Sequence, residues 1–260
     1  MKLLGTHVVL GPEDAAVRVL VFHHAGGSAI SYLPLARQLL PDSQTCLFEL
    51  PGRGIRAGEA PLTDFTTAVK HLLPEVAAVI DRPVFVVGHS LGAILAHSLV
   101  CGLPSSQLSL VGAVLISAFT SPDDAARLAA HPSEPFVFRS RGQLLRELVD
   151  RGGCPPEIFE EPDLLELTIT LMGHDLHLAD TYLAPTPLSR DIDYHVWYGR
   201  DDAFLDAAEV RRWEASTPKP PTIREFPGGH FYLGQLSDPP IALRRLVAEI
   251  ANSSHCPGPR

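Results

Sequence analysis

The sequence predicts an α/β fold, a mostly parallel sheet with helices on both faces, broken by one helical insertion. Two observations point there. Short apolar runs alternate with helix-length segments in the first 120 residues and again after about residue 190. Between Ser121 and about Ala184 the alternation stops, and helical stretches separated by Pro and Gly replace it. A chain of 260 residues, 45% hydrophobic and 20% charged, is long and apolar enough to fold around one core.

Taken in order, Val17 to His23 reads as a strand. The turn-rich HAGGSAIS follows, then a helix from Tyr32 to Leu40 with Leu33, Leu35, Ala36, Leu39 and Leu40 on one face. Thr45 to Leu50 is the next strand. Pro51, Gly52 and Gly54 end it in a loop, and a helix runs from Phe65 to Ile80. Pro83 to His89 and Leu110 to Ala118 are strands, with the helical run LGAILAHSLV between them. Arg141 to Arg151 and Asp163 to Met172 are helices of the insertion. Asp193 to Gly199 and Thr222 to Phe226 return to strand, flanked by helices near Ala207 to Ser216 and Ile241 to Ala251. The chain divides into a core over 1–120 and 185–251, an insertion over 121–184 and a loose tail over 252–260.

The bulk properties exclude several classes. A net charge of −9, with Lys scarce and no basic run, speaks against nucleic acid as a partner. The four cysteines, Cys46, Cys101, Cys154 and Cys256, have no CxxC spacing, so neither a disulfide frame nor a zinc site is expected. The N-terminal apolar stretch is too short for a secretory signal and no window reaches the length of a membrane span. These features predict a cytoplasmic protein without metal or cofactor. With no dimerisation helix in view, a monomer is expected.

The chemistry centres on Gly88, His89, Ser90, Leu91 and Gly92, a GxSxG set between the apolar run PVFVV and a helical run. Three fixed letters are modest evidence, and a structural Gly-Ser turn is the plain alternative. The strand–turn–helix setting sharpens the motif. A nucleophile elbow holds its serine in a strained backbone that only small neighbours permit, and it places that serine at a helix N-terminus. There the helix dipole and the Leu91 N–H favour a developing oxyanion. A serine also needs a base, and an acid to orient that base, in the chain order Ser, Asp, His. His230, in FPGGHFYL after the last strand, is the candidate base among twelve histidines. Asp202, three residues past Gly199, is the candidate acid. Asp201 is the runner-up, with a solvated loop charge or helix cap as its plainer role. The loop His23, His24, Ala25, Gly26, Gly27 offers the Ala25 N–H as second oxyanion donor, unless it is only a strand-to-helix turn.

HAGGS after the first strand, PGRG at Pro51 to Gly54, GHSLGA at Gly88 to Ala93, the GxxD loop and PGGHFYL together resemble the type II thioesterases of polyketide and nonribosomal peptide synthesis, members of the α/β-hydrolase superfamily. RGGCPPEIFEEPDLLEL and DLHLADTY resemble that family's helical lid. The resemblance covers nearly the whole chain. It implies an α/β-hydrolase fold with a lid and hydrolysis of acyl or aminoacyl thioesters from the phosphopantetheine arm of carrier proteins. It also implies a substrate site that includes His24, Gly26 and Phe231. Two departures stand out: His23 replaces the family's usual Pro, and AFLD follows Asp202 where Pro and Val are more usual. Arg53, Arg56, Arg139, Arg141 and Arg146 are candidate cations for an acidic carrier. A small-molecule carboxylesterase and a non-catalytic binding protein of the same fold are the alternative functions.

Overall fold

The computed structural model describes residues 1–152, 154–185, 190–235 and 237–253. A hairpin opens the chain, β1 (Lys2–Leu4) and β2 (His7–Leu10), followed by β3 (Arg18–Phe22), α1 (Leu33–Gln38), β4 (Gln44–Phe48) and α2 (Phe65–Ala77). Next come β5 (Val84–His89), α3 (Leu91–Gly102), α4 (Ser105–Leu108) and β6 (Val111–Ser117). The insertion supplies α5 (Pro122–Leu128), α6 (Arg141–Arg151), α7 (Pro156–Glu160) and α8 (Pro162–Asp180). The chain closes with β7 (Asp193–Gly199), α9 (Ala207–Arg211), β8 (Thr222–Phe226), α10 (Tyr232–Gln235) and α11 (Asp238–Ser253).

The strands form one eight-stranded sheet in the order β1-β2-β4-β3-β5-β6-β7-β8. β3 to β8 run parallel, and β1 and β2 are antiparallel at one edge. Successive residues of a strand face opposite sides, so each inner strand feeds two cores. Val84 and Val86 of β5 join Leu20 and Phe22 of β3 beneath α2 and α3. Phe85 and Val87 join Val19 and Val21 beneath α1 and α11. This double burial explains the unbroken apolar runs that mark these strands in the sequence.

Most predicted elements stand within one to three residues of their places, and β7 and β8 occupy the expected residues. Four differences have physical causes. The β1–β2 hairpin is unforeseen, because HVVL is only four residues long and its burial comes from pairing with β4. The helix expected from Tyr32 begins as a 3-10 turn over Ala29–Tyr32, and α1 starts behind it. α8 runs eight residues past Met172, since Gly173 is packed against the Phe136 ring and Asp175 and Leu178 are buried partners of the core. Finally, α11 takes up Asn252 and Ser253 of the expected tail, and 254–260 lies outside the described residues. Among the described residues no helix is long and apolar enough to cross a membrane.

Candidate active site

Ser90 stands between β5 and α3 with φ 54° and ψ −123°, a conformation most side chains avoid. Its surroundings impose it. A Cβ on Gly88 would run into Gly92 and Ala93, and one on Gly92 would run into the carbonyls of Phe22 and His23. The Ser90 N–H donates to the Ser117 carbonyl at 2.8 Å, and the Ala93 N–H donates to the Ser90 carbonyl at 2.8 Å. Leu91 opens α3, so its N–H is one of those a helix leaves without an internal acceptor.

Two loops at the same end of the sheet converge on Ser90. His230 Nε2 lies 3.0 Å from Ser90 Oγ, and His230 Nδ1 lies 2.7 Å from Asp202 Oδ2. All three side chains are buried. Asp202 Oδ1 also accepts the Phe204 N–H at 3.0 Å, so AFLD keeps the carboxylate aimed at the imidazole. Asp201 faces away from His230: its Oδ2 accepts the Gly228 N–H, and its own N–H donates to the Gly228 carbonyl. The close approach of these loops needs Gly199, where a side chain would collide with the carbonyls of Gly228 and Gly229.

A cluster of neutral histidines surrounds this relay. Burial pushes the His24 imidazole down to about 3 and holds His89 well below the ordinary histidine range. The His89 ring lies 5.3 Å from that of His230 and is bonded to Ser117 Oγ at 2.9 Å, which continues to the Tyr232 hydroxyl at 2.7 Å. His24 is bonded to the Tyr32 hydroxyl at 3.0 Å and meets Phe231 edge-on at 4.8 Å. His23, which stands where the resembling family usually has Pro, is buried behind the site. Its Nδ1 lies 2.8 Å from the His24 carbonyl, and its Nε2 accepts the Leu50 N–H at 3.3 Å. Burial lowers it to about 3, so its 3.7 Å approach to Glu49 is not an ion pair.

Two adjoining cavities reach the site. Ser90 and His230 border one of about 270 Å³, with Phe119, Leu128, Leu176 and Phe204 among its walls. His24, Ala25, Gly26 and Phe231 border the other, about 220 Å³, beneath Leu148, Ile158 and Met172. Arg151 lines both, its guanidinium 4.0 Å from the centre of the Phe204 ring. His24, Gly26 and Phe231 line the second cavity, and the Phe231 ring lies 5.2 Å from that of His230. Sequence reasoning missed Leu176, Arg151 and Phe204. The unusual AFLD was the one local signal for Phe204, while the other two look like ordinary helix positions.

The arginines expected at the surface divide. Arg53 and Arg56 are buried and committed inward, which removes them as docking cations. Arg53 is paired with Asp175, and Arg56 with Glu59 and Glu75. Arg139 is partly buried and pairs with Asp180 and Glu147. Arg141 and Arg146 are exposed, Arg141 beside Glu166.

Residues 17–250 match the family model described as "Thioesterase domain". A Streptomyces griseus protein named "Probable cadicidin biosynthesis thioesterase" is 27% identical over 247 residues, 94% of this chain and 64% of that one. Phenyloxazoline synthase MbtB of Mycobacterium tuberculosis is 27% identical over 236 residues, 90% of this chain and 16% of that one. This chain therefore spans less than two thirds of the length of either relative. Among solved structures, the type II thioesterase BorB from the borrelidin biosynthetic cluster is 28% identical, with a TM-score of 0.78 over 96% of this chain and 99% of that one. The fold is that of the α/β-hydrolases, and with the family match extending from just before β3 into α11, the chain belongs to the thioesterase domain family.

Proposed function

We propose that this protein hydrolyses acyl or aminoacyl thioesters carried on the phosphopantetheine arm of carrier proteins. The observation that carries the reading is the unbroken relay from Asp202 through His230 to Ser90, at the wall of a chamber whose lining is mainly apolar but includes Arg139, Arg151 and Asp180. His230 Nε2 takes the Ser90 proton as Oγ attacks the thioester carbonyl carbon. The N–H groups of Leu91 and Ala25 hold the resulting oxyanion. Collapse breaks the C–S bond, the departing pantetheine sulfur takes the proton from His230, and the acyl group stays on Ser90 as an ester. Water then adds to that ester as His230 takes its proton. The second collapse returns a proton to Ser90 and frees the carboxylic acid. His24 and His89 stay uncharged, so neither adds a positive charge beside the imidazolium.

The helical insertion serves as the lid, excluding bulk water from the two cavities. Arg141 and Arg146 on α6 remain the cations open to an acidic carrier. The name of the Streptomyces griseus relative and the borrelidin cluster of the solved neighbour support a place in antibiotic or polyketide assembly. The test is intact-mass tracking of a carrier protein loaded with acetyl, propionyl or a longer acyl group. Wild type should remove the acyl mass and Ser90→Ala should leave it. Turnover of simple esters with every loaded carrier left intact would instead favour a carboxylesterase.

A further inference from the structure

The loop that carries Ala25 is held by a charged device that the relay does not use. Asp175, on α8, accepts the Gly26 N–H at 2.7 Å with Oδ2. Both of its oxygens also receive the Arg53 guanidinium, at 2.5 and 2.6 Å, and Arg53 Nη1 donates to the Gly27 carbonyl at 3.0 Å. One ion pair thus grips the loop at two peptide groups, the N–H of Ala25–Gly26 and the C=O of Gly27–Ser28, with one peptide between them. Met172, one turn before Asp175 on the same face of α8, packs its Cβ region over Gly26, whose φ is +73°. The three parts come from separate elements: the loop after β3, the loop after β4 and the inserted helix α8.

Stability alone is a poor reason for this arrangement. A buried ion pair loses about as much in desolvation as it gains in attraction, and apolar residues of the same volume do as well or better. Arg53 and Asp175 are both buried, and Arg53 Nε has no partner among the described residues, which adds a further cost. What a bidentate charged pair supplies over an apolar contact is direction. Through the Gly26 N–H it fixes the Ala25–Gly26 peptide, and by holding Gly27 it also holds the Gly27 N–H that donates to the His24 carbonyl at 3.0 Å, the oxygen of the peptide that carries the Ala25 N–H.

We propose that Arg53 and Asp175 are positioning residues that set the Ala25 N–H for the oxyanion and make that setting depend on α8 being seated. The inference rests on the proposed serine mechanism with Ala25 as donor. It also divides the insertion: the part of α8 that carries Met172 and Asp175 is a fixed strut, and any opening of the lid lies before it.

The experiment compares wild type, Asp175→Asn, Arg53→Lys and Ser90→Ala on an acyl-N-acetylcysteamine thioester and on an acylated carrier, with thermal unfolding measured for each. Both clamp variants preserve volume, and assays run well below each Tm. The expected result is a fall in kcat of about 10- to 100-fold with KM little changed, equal for the two substrates. The rate of Ser90 phosphonylation by a fluorophosphonate should fall in parallel, because its tetrahedral oxygen uses the same donors. A lower Tm with wild-type kcat and phosphonylation would make the pair merely structural and overturn the proposal. A loss confined to KM for the carrier would assign it to docking and overturn it equally. Ser90→Ala separates the levels: residual wild-type turnover there sinks the serine mechanism itself, whereas a dead Ser90→Ala beside a fully active Asp175→Asn sinks only the clamp.

Discussion

β5 and α6 both reach the chamber at Ser90, and they are held in place by different interactions. All six residues of β5 are buried, paired to β3 on one side and β6 on the other, and its last peptides lead into the serine. α6 buries Leu144 alone, and its neighbourhood is stitched by ion pairs of Arg139 and Arg151 with Glu147 and of Arg141 with Glu166. Such partly exposed pairs contribute little, whereas each fully buried aliphatic side chain contributes about 1.5–3 kcal/mol. The reacting groups therefore stand on the most cooperative part of the molecule, and the roof above them stands on one of the least. α8 joins the two, because it is exposed at Leu164 and Leu167 and buried from Ile169 to Leu178 on one face.

The comparison is tested most severely at the relay. Asp202→Asn should lower kcat by about 10³- to 10⁴-fold with Tm nearly unchanged, since the amide, with its oxygen kept on the Phe204 N–H, turns a donor towards His230 Nδ1, holds the wrong tautomer and removes the charge that faces the imidazolium. Asp201→Asn should stay near wild type in the same assay, and a reversal would hand the role of acid to Asp201. Gly92→Ala should cost about 3 kcal/mol in chemical denaturation, because its methyl meets the fixed carbonyls of Phe22 and His23.

Two leucines then separate roof from strut. Leu178→Ala should lower global stability by about 2–4 kcal/mol. Leu144→Ala should open the stretch around α6 to limited proteolysis while the sheet amides keep their exchange protection. Equal global losses from the two would make the insertion one cooperative unit with the core.

A pH-dependent effect follows from the buried imidazoles. His23 and His24 sit at about 3 in the folded chain against an ordinary 6.5. Between those values the unfolded chain binds protons that the folded one does not, so stability falls as pH drops from about 6.5 towards 3. Thermal unfolding across that range checks it, and a flat Tm would remove these histidines from the acid response. The smallest change is Arg141→Ala, worth less than about 0.5 kcal/mol of stability in chemical denaturation because the pair with Glu166 is exposed. Any large effect of that variant would lie in carrier turnover.

How much of this was legible in the chain follows from the range of the interactions. GHSLG between an apolar run and a helical run announces the elbow because strand, turn and helix are contiguous, and the glycines are demanded by clashes within a few residues or with the adjacent strand. Arg53 and Arg56 were misread as surface cations because their partners, Asp175 and Glu75, are remote in sequence and no spacing rule connects them. β2 escaped notice for the same reason: its four residues are a strand because β4 lies beside them.

By itself, the sequence determined the alternation of strands and helices, the strained serine and the order in which Ser90, Asp202 and His230 occur, since these depend on local periodicity and on glycines at fixed offsets. Tertiary structure alone decided which aspartate meets the imidazole, that His23 lies behind the site, that two arginines point inward and that α8 belongs half to the roof and half to the core. Those outcomes turn on burial and on partners brought together across the sheet, and a charged or aromatic residue carries no mark of its partner until the chain has closed around it.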